Sequence, residues 1–133
     1  QADCTVEQMK LADTDMVILP GGLGGVHSIL ASETAMNFIR LAYEKNCLIA
    51  AICAAPTILA SLHITDGRRA TCYPGLEDQM DAAKMIPCGA VQDGNVITGR
   101  AAGSADEFGL ACLRALKGED TARQVASDIV YRV

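Results

Sequence analysis

The run from Leu48 to Ala60 constrains the fold of this chain more than any other stretch. Leu48-Ile49-Ala50-Ala51-Ile52 is continuously apolar, ends at Cys53, and restarts at Ala54-Ala55-Pro56 as a helix-forming segment. The pattern predicts strand, sharp turn and helix, with Cys53 at the turn. Such a junction holds a side chain exposed on strained backbone, in the manner of a nucleophile elbow. The helix behind it would aim unpaired N–H groups and its positive dipole end at the sulfur, which favours thiolate over thiol.

Cysteine alone is weak testimony, because an unpaired cysteine is most often a small buried hydrophobe. The chain has six, at positions 4, 47, 53, 72, 88 and 112. Cys47 opens the same apolar run and Cys112 falls within a predicted helix, so both read as packing residues. Cys4 and Cys88 lie among turn-like or polar neighbours with no helix start beside them. Only Cys53 combines a strand end with a following helix.

Half of the 133 residues are hydrophobic, enough to bury one core, so the whole chain, 1–133, reads as a single domain. Its 11 Lys and Arg against 16 Asp and Glu form no long run of either sign, which argues against nucleic acid as a partner and gives no membrane signal. No apolar stretch approaches spanning length, and the start shows no secretory pattern. The cysteines occur singly, without C-x-x-C spacing, so neither a metal site nor a disulfide framework is expected and a reducing, cytoplasmic compartment is. The sequence opens Gln1-Ala2-Asp3-Cys4, without Met, and reads as N-terminally incomplete.

Along the chain, Val6 to Ala12 reads as a short helix capped by Thr5, with Gln8 as its reciprocal partner. Met16-Val17-Ile18-Leu19 has the continuous apolar pattern of a strand buried on both faces. It runs into Pro20-Gly21-Gly22-Leu23-Gly24-Gly25, where two readings stand: a flexible strand-to-helix turn, or a backbone cradle that brings N–H groups close to a ligand. No Gly-Lys-Ser/Thr follows and the glycine spacing does not suit a dinucleotide, so neither nucleotide motif applies.

Ser32 is expected to cap a helix reaching about Lys45, with Ala35, Phe38, Ile39 and Ala42 on its apolar side. Beyond the elbow, Arg69 to Tyr73 reads as a strand closed by Pro74-Gly75, and Leu76 to Lys84 as helical or loop-like. Val91 to Thr98 reads as a hairpin turning at Asp93-Gly94-Asn95. Ser104 and Glu107 suggest a capping box starting a helix that runs to Leu116, and Gly118 separates it from a last helix over roughly Glu119 to Ser127. Strands alternating with helices specify an α/β fold, a mostly parallel sheet flanked by helices in a three-layer sandwich. Ligands of such sheets bind at the carboxyl ends of the strands. Three of those ends carry Gly21 and Gly22, Cys53, and Tyr73, a thiol facing glycine-rich N–H groups as a nucleophile faces an oxyanion hole.

These residues resemble the ThiJ/PfpI family, in its Parkinsonism-associated deglycase branch, within the flavodoxin-like, class I glutamine-amidotransferase-like fold. The likeness rests on Val17-Ile18-Leu19-Pro20-Gly21-Gly22, Ala50-Ala51-Ile52-Cys53-Ala54-Ala55-Pro56, Ala70-Thr71-Cys72-Tyr73-Pro74, and the string from Ile97 to Ser104 followed by Glu107-Phe108. The resemblance implies Cys53 as nucleophile and oxidation-sensitive thiol, and Gly22 and Ala54 as oxyanion-binding N–H donors. It places Gly21, Tyr73 and Arg100 at the substrate pocket. It also implies a homodimer without cofactor or metal, acting on a small aldehyde or a glycated substrate, with some members serving instead as oxidative-stress sensors or chaperones.

The departures carry their own expectations. The family's acid, a glutamate that hydrogen-bonds the cysteine, comes from an N-terminal strand-helix region of roughly thirty residues or more that this sequence does not contain. Tyr73 stands where many relatives carry histidine, and a phenol is a poor base near neutral pH. His27, beside the glycine-rich segment, either faces the crevice or is a solvated helix-start residue; His63 reads as a charge at the end of the elbow helix. Strand alternation turns Cys72 away if Tyr73 faces the site, which opposes a resolving-thiol role. A PfpI-type protease would place histidine directly after the nucleophile, where Ala54 stands. An amidotransferase needs His-x-Glu, which neither histidine offers. The expected function is therefore cysteine-dependent chemistry on small reactive carbonyls, of glyoxalase or deglycase type, the alternative being a sensor or chaperone in which Cys53 is oxidised.

Overall fold

A computed structural model describes residues 1–132. Four strands form the main sheet: β1 (Met16–Leu19), β2 (Leu48–Ile52), β5 (Ala90–Asp93) and β6 (Val96–Gly99), in the order β1-β2-β6-β5. The first three neighbours run parallel, with Val17 opposite Ile49 and Ala51 opposite Thr98, while β5 returns antiparallel to β6. Strands β3 (Arg69–Ala70) and β4 (Lys84–Met85) make a small parallel pair of their own. Helices lie on both faces, as a mostly parallel sheet requires.

Sequence pattern and burial agree at the centre of the sheet. Ile49, Ala50 and Ala51 of β2 and Ile97 and Thr98 of β6 are fully buried, the condition under which a strand has no polar alternation. One face is covered by α1 (Leu23–Leu30), α2 (Glu33–Glu44) and α3 (Pro56–Ser61), whose Val26, Ile39, Ala42, Ile58 and Leu59 share a core with Val17, Leu19 and Ile49. The other is covered by α4 (Ala105–Lys117), which sets Phe108, Ala111 and Cys112 against Ala50 and Ile97, and α5 (Glu119–Asp128) packs on α4.

Ser32 caps α2 as its side-chain oxygen accepts the N–H of Ala35 at 3.1 Å, and that helix buries Ile39 and Ala42. Gly94 at φ +61° makes the hairpin turn between β5 and β6. The Thr5–Gln8 capping box forms, but the turn it opens is a 3-10 turn over Val6–Gln8, followed by another over Leu11–Asp13, instead of one helix.

Several local expectations are corrected. Strand β1 is not buried on both faces: it is an edge strand and α4 packs over β2, β6 and β5, so Ile18 stays 52% exposed. The segment after Gly22 is helical at once, because Val26 is buried in the core and Ile29 packs against it, which outweighs the low helix propensity of Gly24 and Gly25. The strand expected through Tyr73 ends at Ala70. Ser104 precedes α4 without a side-chain cap bond, since a 3-10 turn over Ala102–Ser104 leads into the helix and Ser104 has left the extended conformation a capping residue needs.

Candidate active site

Cys53 follows β2 directly, and its backbone is in the left-handed region at φ +68°. For a residue with a Cβ this conformation costs about 1–2 kcal/mol, so surrounding contacts must hold it. Two hydrogen bonds do. The Cys53 N–H donates to the carbonyl of Gly99 at the end of β6, at 3.0 Å, and the Cys53 carbonyl accepts the N–H of Tyr73 at 2.8 Å. Pro56 begins α3 three residues later, where its missing N–H removes no helical bond and its ring favours the helical φ. The expected strand, turn and helix are therefore present, with α3 shorter than the apolar run promised.

The segment carrying Tyr73 is laid across the strand ends by side-chain and backbone bonds. The buried Thr98 hydroxyl accepts the N–H of Thr71 at 2.9 Å, and the Thr71 hydroxyl donates to the carbonyl of Cys88 at 3.1 Å. Two residues on, Tyr73 reaches Cys53. Between them Cys72 turns inward and packs with Ala70 and Met80. Burial, then the nearby Glu77 carboxylate, then Cys53 push the Cys72 thiol up to about 11, which leaves it protonated and inert at neutral pH. The alternation expected from sequence thus holds where the regular strand does not.

Gly21 is required where it stands. A Cβ there would lie 2.6 Å from Cβ of Cys53, 3.1 Å from the Ile52 carbonyl oxygen and 3.3 Å from Sγ of Cys53. The bare backbone of Gly21 forms a wall against the thiol. Gly22 follows at φ +91°, a conformation that suits glycine, and opens α1.

A cavity of about 380 Å³ results, lined by Gly22, Leu23, Cys53, Ala54, Tyr73, Pro74, Gly75 and Leu76. The backbone N–H groups of Gly22 and Ala54, both residues of this lining, have no backbone acceptor among the described residues. Larger hollows beside β1 (about 800 Å³) and between the start of α4 and residues 129–132 (about 500 Å³) contain neither cysteine nor histidine.

Of the residues expected at the site, Gly22, Cys53, Ala54 and Tyr73 line one cavity and Gly21 abuts its thiol. Arg100 does not join them: it is half-buried, outside the lining, and its N–H bonds the carbonyl of Gly89 at 2.9 Å. His27 is exposed on α1 and also outside the lining. His63, at φ +62°, pairs its Nδ1 with Asp66 Oδ2 at 3.0 Å beyond the end of α3. Leu23 and Leu76 were not anticipated; their signal is that each is an apolar residue directly beside a glycine turn that shapes the site. Among the described residues, no group of three or more His, Cys, Asp or Glu is placed to hold a metal, and no helix is long and apolar enough to cross a membrane.

Comparison with known proteins finds a match over residues 1–115 to the profile described as the DJ-1/PfpI family. Protein dj-1beta of Drosophila melanogaster is 35% identical over 130 residues, covering 96% of this chain and 70% of that protein. Protein DJ-1alpha of the same organism is 37% identical, covering 94% of this chain and 58% of that protein. The crystal structure of Drosophila melanogaster DJ-1beta superposes with a TM-score of 0.89 over 97% of this chain and 70% of its own. A structure described as oxidized Toxoplasma gondii DJ-1 gives a TM-score of 0.89 at 26% identity, over 99% of this chain and 72% of its own.

Proposed function

The chain belongs to the DJ-1/PfpI family, and from that premise we propose that it is a cysteine-dependent protein acting on small reactive carbonyls or their adducts, with Cys53 as the nucleophile. Support comes chiefly from one observation. Cys53, in left-handed backbone, lines a cavity together with Gly22 and Ala54, whose N–H groups have no backbone acceptor among the described residues.

In the proposed first step the sulfur bonds to the aldehyde carbon, and the carbonyl π pair moves onto oxygen. The Gly22 and Ala54 N–H groups receive that oxygen, which ends as the hydroxyl of a hemithioacetal carrying the proton the thiol has lost. Conversion of an α-oxoaldehyde adduct to a 2-hydroxy acid then moves a proton between neighbouring carbons and consumes one water. None of the cavity's lining side chains is a carboxylate or imidazole, so in this proposal the proton is carried by the glutamate that the family resemblance implies. The homodimer belongs to the proposal on the same footing. Methylglyoxal consumption by the wild type and by Cys53→Ala tests the reading: loss of turnover is expected, and full activity in the variant overturns it.

A second reading, oxidation sensing, is favoured by the half-exposed position of Cys53 and by the relative whose structure is described as oxidized. One peroxide would transfer an oxygen to the thiolate and leave as water, and a second would carry the sulfenate to a sulfinate held by the same N–H groups. Peptide mass mapping after peroxide, beside a chaperone assay, separates the two: sensing requires a gain of client binding, whereas an enzyme is only inactivated.

A further inference from the structure

Thr98 is the polar exception in β6. All four residues of that strand are buried, and Thr98, opposite Ala51 on one side and Val91 on the other, is 0% exposed. A hydroxyl buried so deeply costs free energy unless it is bonded, and this one accepts the N–H of Thr71 at 2.9 Å. Among the described residues β3 pairs with β4 and not with the main sheet, so no ladder ties the segment that follows it to β6. Side chains make the tie instead. Asp93 accepts the N–H of Arg69 at the turn end of the β5–β6 hairpin, and Thr98 accepts that of Thr71 towards the end bearing Cys53.

We infer that Thr98 is a positioning residue for Cys53, holding the thiol turn by its N–H and by its carbonyl at once. Along β6, the next residue, Gly99, accepts the Cys53 N–H at 3.0 Å. Through its hydroxyl Thr98 holds Thr71, and two residues on the Tyr73 N–H meets the Cys53 carbonyl at 2.8 Å. The contacts close into a circuit, from Thr98 through Gly99, Cys53, Tyr73 and Thr71 back to Thr98. Three hydrogen bonds complete it, and only the one at Thr98 is made by a side chain. Without that hydroxyl the buried Thr71 N–H loses its acceptor, and the turn at φ +68° keeps one anchor to the sheet instead of two. The sulfur is then no longer fixed against Gly21. The inference rests on Cys53 being the reacting thiol, as proposed above; Thr98 lies outside the cavity lining and acts through the turn.

The test compares wild type with Thr98→Val, which removes the hydroxyl, and Thr98→Ser, which keeps it and loses a buried methyl. Ile39→Val, in the core under α2 and away from the circuit, controls for lost stability alone. The iodoacetamide labelling rate of Cys53, read by peptide mapping, is divided by that of the exposed Cys4 in the same molecule, and amide exchange of Tyr73 is followed by NMR. In Thr98→Val the labelling ratio should fall and the Tyr73 exchange should quicken by about 5-fold or more, the order that losing one hydrogen bond implies. Thr98→Ser and Ile39→Val should both stay near wild type by the two readouts, although each is less stable. Unchanged labelling and exchange in Thr98→Val overturn the assignment and leave Cys53 as nucleophile standing. Equal losses in the valine and serine variants overturn it too, since the hydroxyl would then not be the cause. Should Thr98→Val not fold, Thr98→Ser decides alone: wild-type readouts despite its lower stability support the assignment, and slowed labelling overturns it. Wild-type Cys53 labelled no faster than Cys4 overturns the nucleophile reading itself, and the role of Thr98 with it.

Discussion

The backbone N–H of Tyr73 donates to the carbonyl of Cys53 at 2.8 Å, tying the loop that bears the tyrosine to the turn that bears the thiol. The bond is made by backbone, so the phenol is not needed for it. Tyr73→Phe should leave the alkylation rate of Cys53 within about 2-fold of wild type, whereas Tyr73→Pro removes the donor and should destabilise the fold by roughly 1–3 kcal/mol, the penalty of an unmet carbonyl. Denaturant titration and timed iodoacetamide labelling of both variants check this. Equal stability of the two would mean that the bond does not hold the turn.

Gly21 and Gly24 sit three residues apart in the same glycine-rich segment and should respond oppositely to alanine. At Gly21 the new Cβ meets Cys53 at 2.6 Å, so Gly21→Ala should cost about 1–3 kcal/mol by overpacking and slow Cys53 labelling. At Gly24, in α1, a Cβ meets nothing within 4 Å. Gly24→Ala should stabilise by up to about 1 kcal/mol through helix propensity. Melting curves of the two variants settle the contrast.

That contrast also shows what the sequence could and could not disclose. The elbow was legible because one apolar run ending at Cys53 forces a strand end and a helix start into adjacent residues. The central strands were legible because two-sided burial leaves no alternation. Ile18 misled, since an edge strand in a parallel sheet carries the same apolar letters as a central one and only the strand order reveals which it is. The helix at Leu23 was hidden by Gly24 and Gly25, whose low propensity is outweighed by tertiary burial of Val26. Arg100 followed from motif likeness alone, and no local pattern fixes where a side chain beyond a strand end will go. Leu23 and Leu76 come to line one cavity only through folding, from segments some fifty residues apart.

Strain at Cys53 predicts a separation of stability from chemistry. Alanine keeps the Cβ that makes φ +68° unfavourable, and glycine removes it. Cys53→Gly should therefore be more stable than Cys53→Ala by about 1 kcal/mol, while neither forms a hemithioacetal. If glycine proves no more stable than alanine by chemical denaturation, the turn carries no strain that matters to the fold.

Alkaline pH should weaken the fold through thiols that take no part in the proposed chemistry. Burial raises Cys112, on α4, to about 11, opposed weakly by a backbone hydrogen bond, and Cys72 reaches about 11 as well. Both thiols are held neutral in the folded chain but ionise near their ordinary value once unfolded. Below the ordinary value both states carry the proton and this stabilisation is fully present. As pH rises from about 9 to about 11 the unfolded chain loses the proton first, so stability falls across that window until the folded thiols also ionise. The loss amounts to at most roughly 3 kcal/mol per thiol. Cys112→Ala should flatten the decline between pH 9 and 11 relative to wild type, at the expense of a small cavity beside Ala50 and Ile97. Thermal melts of both proteins at closely spaced pH values check the slope, and an unchanged slope in the variant would show that Cys112 does not contribute to it.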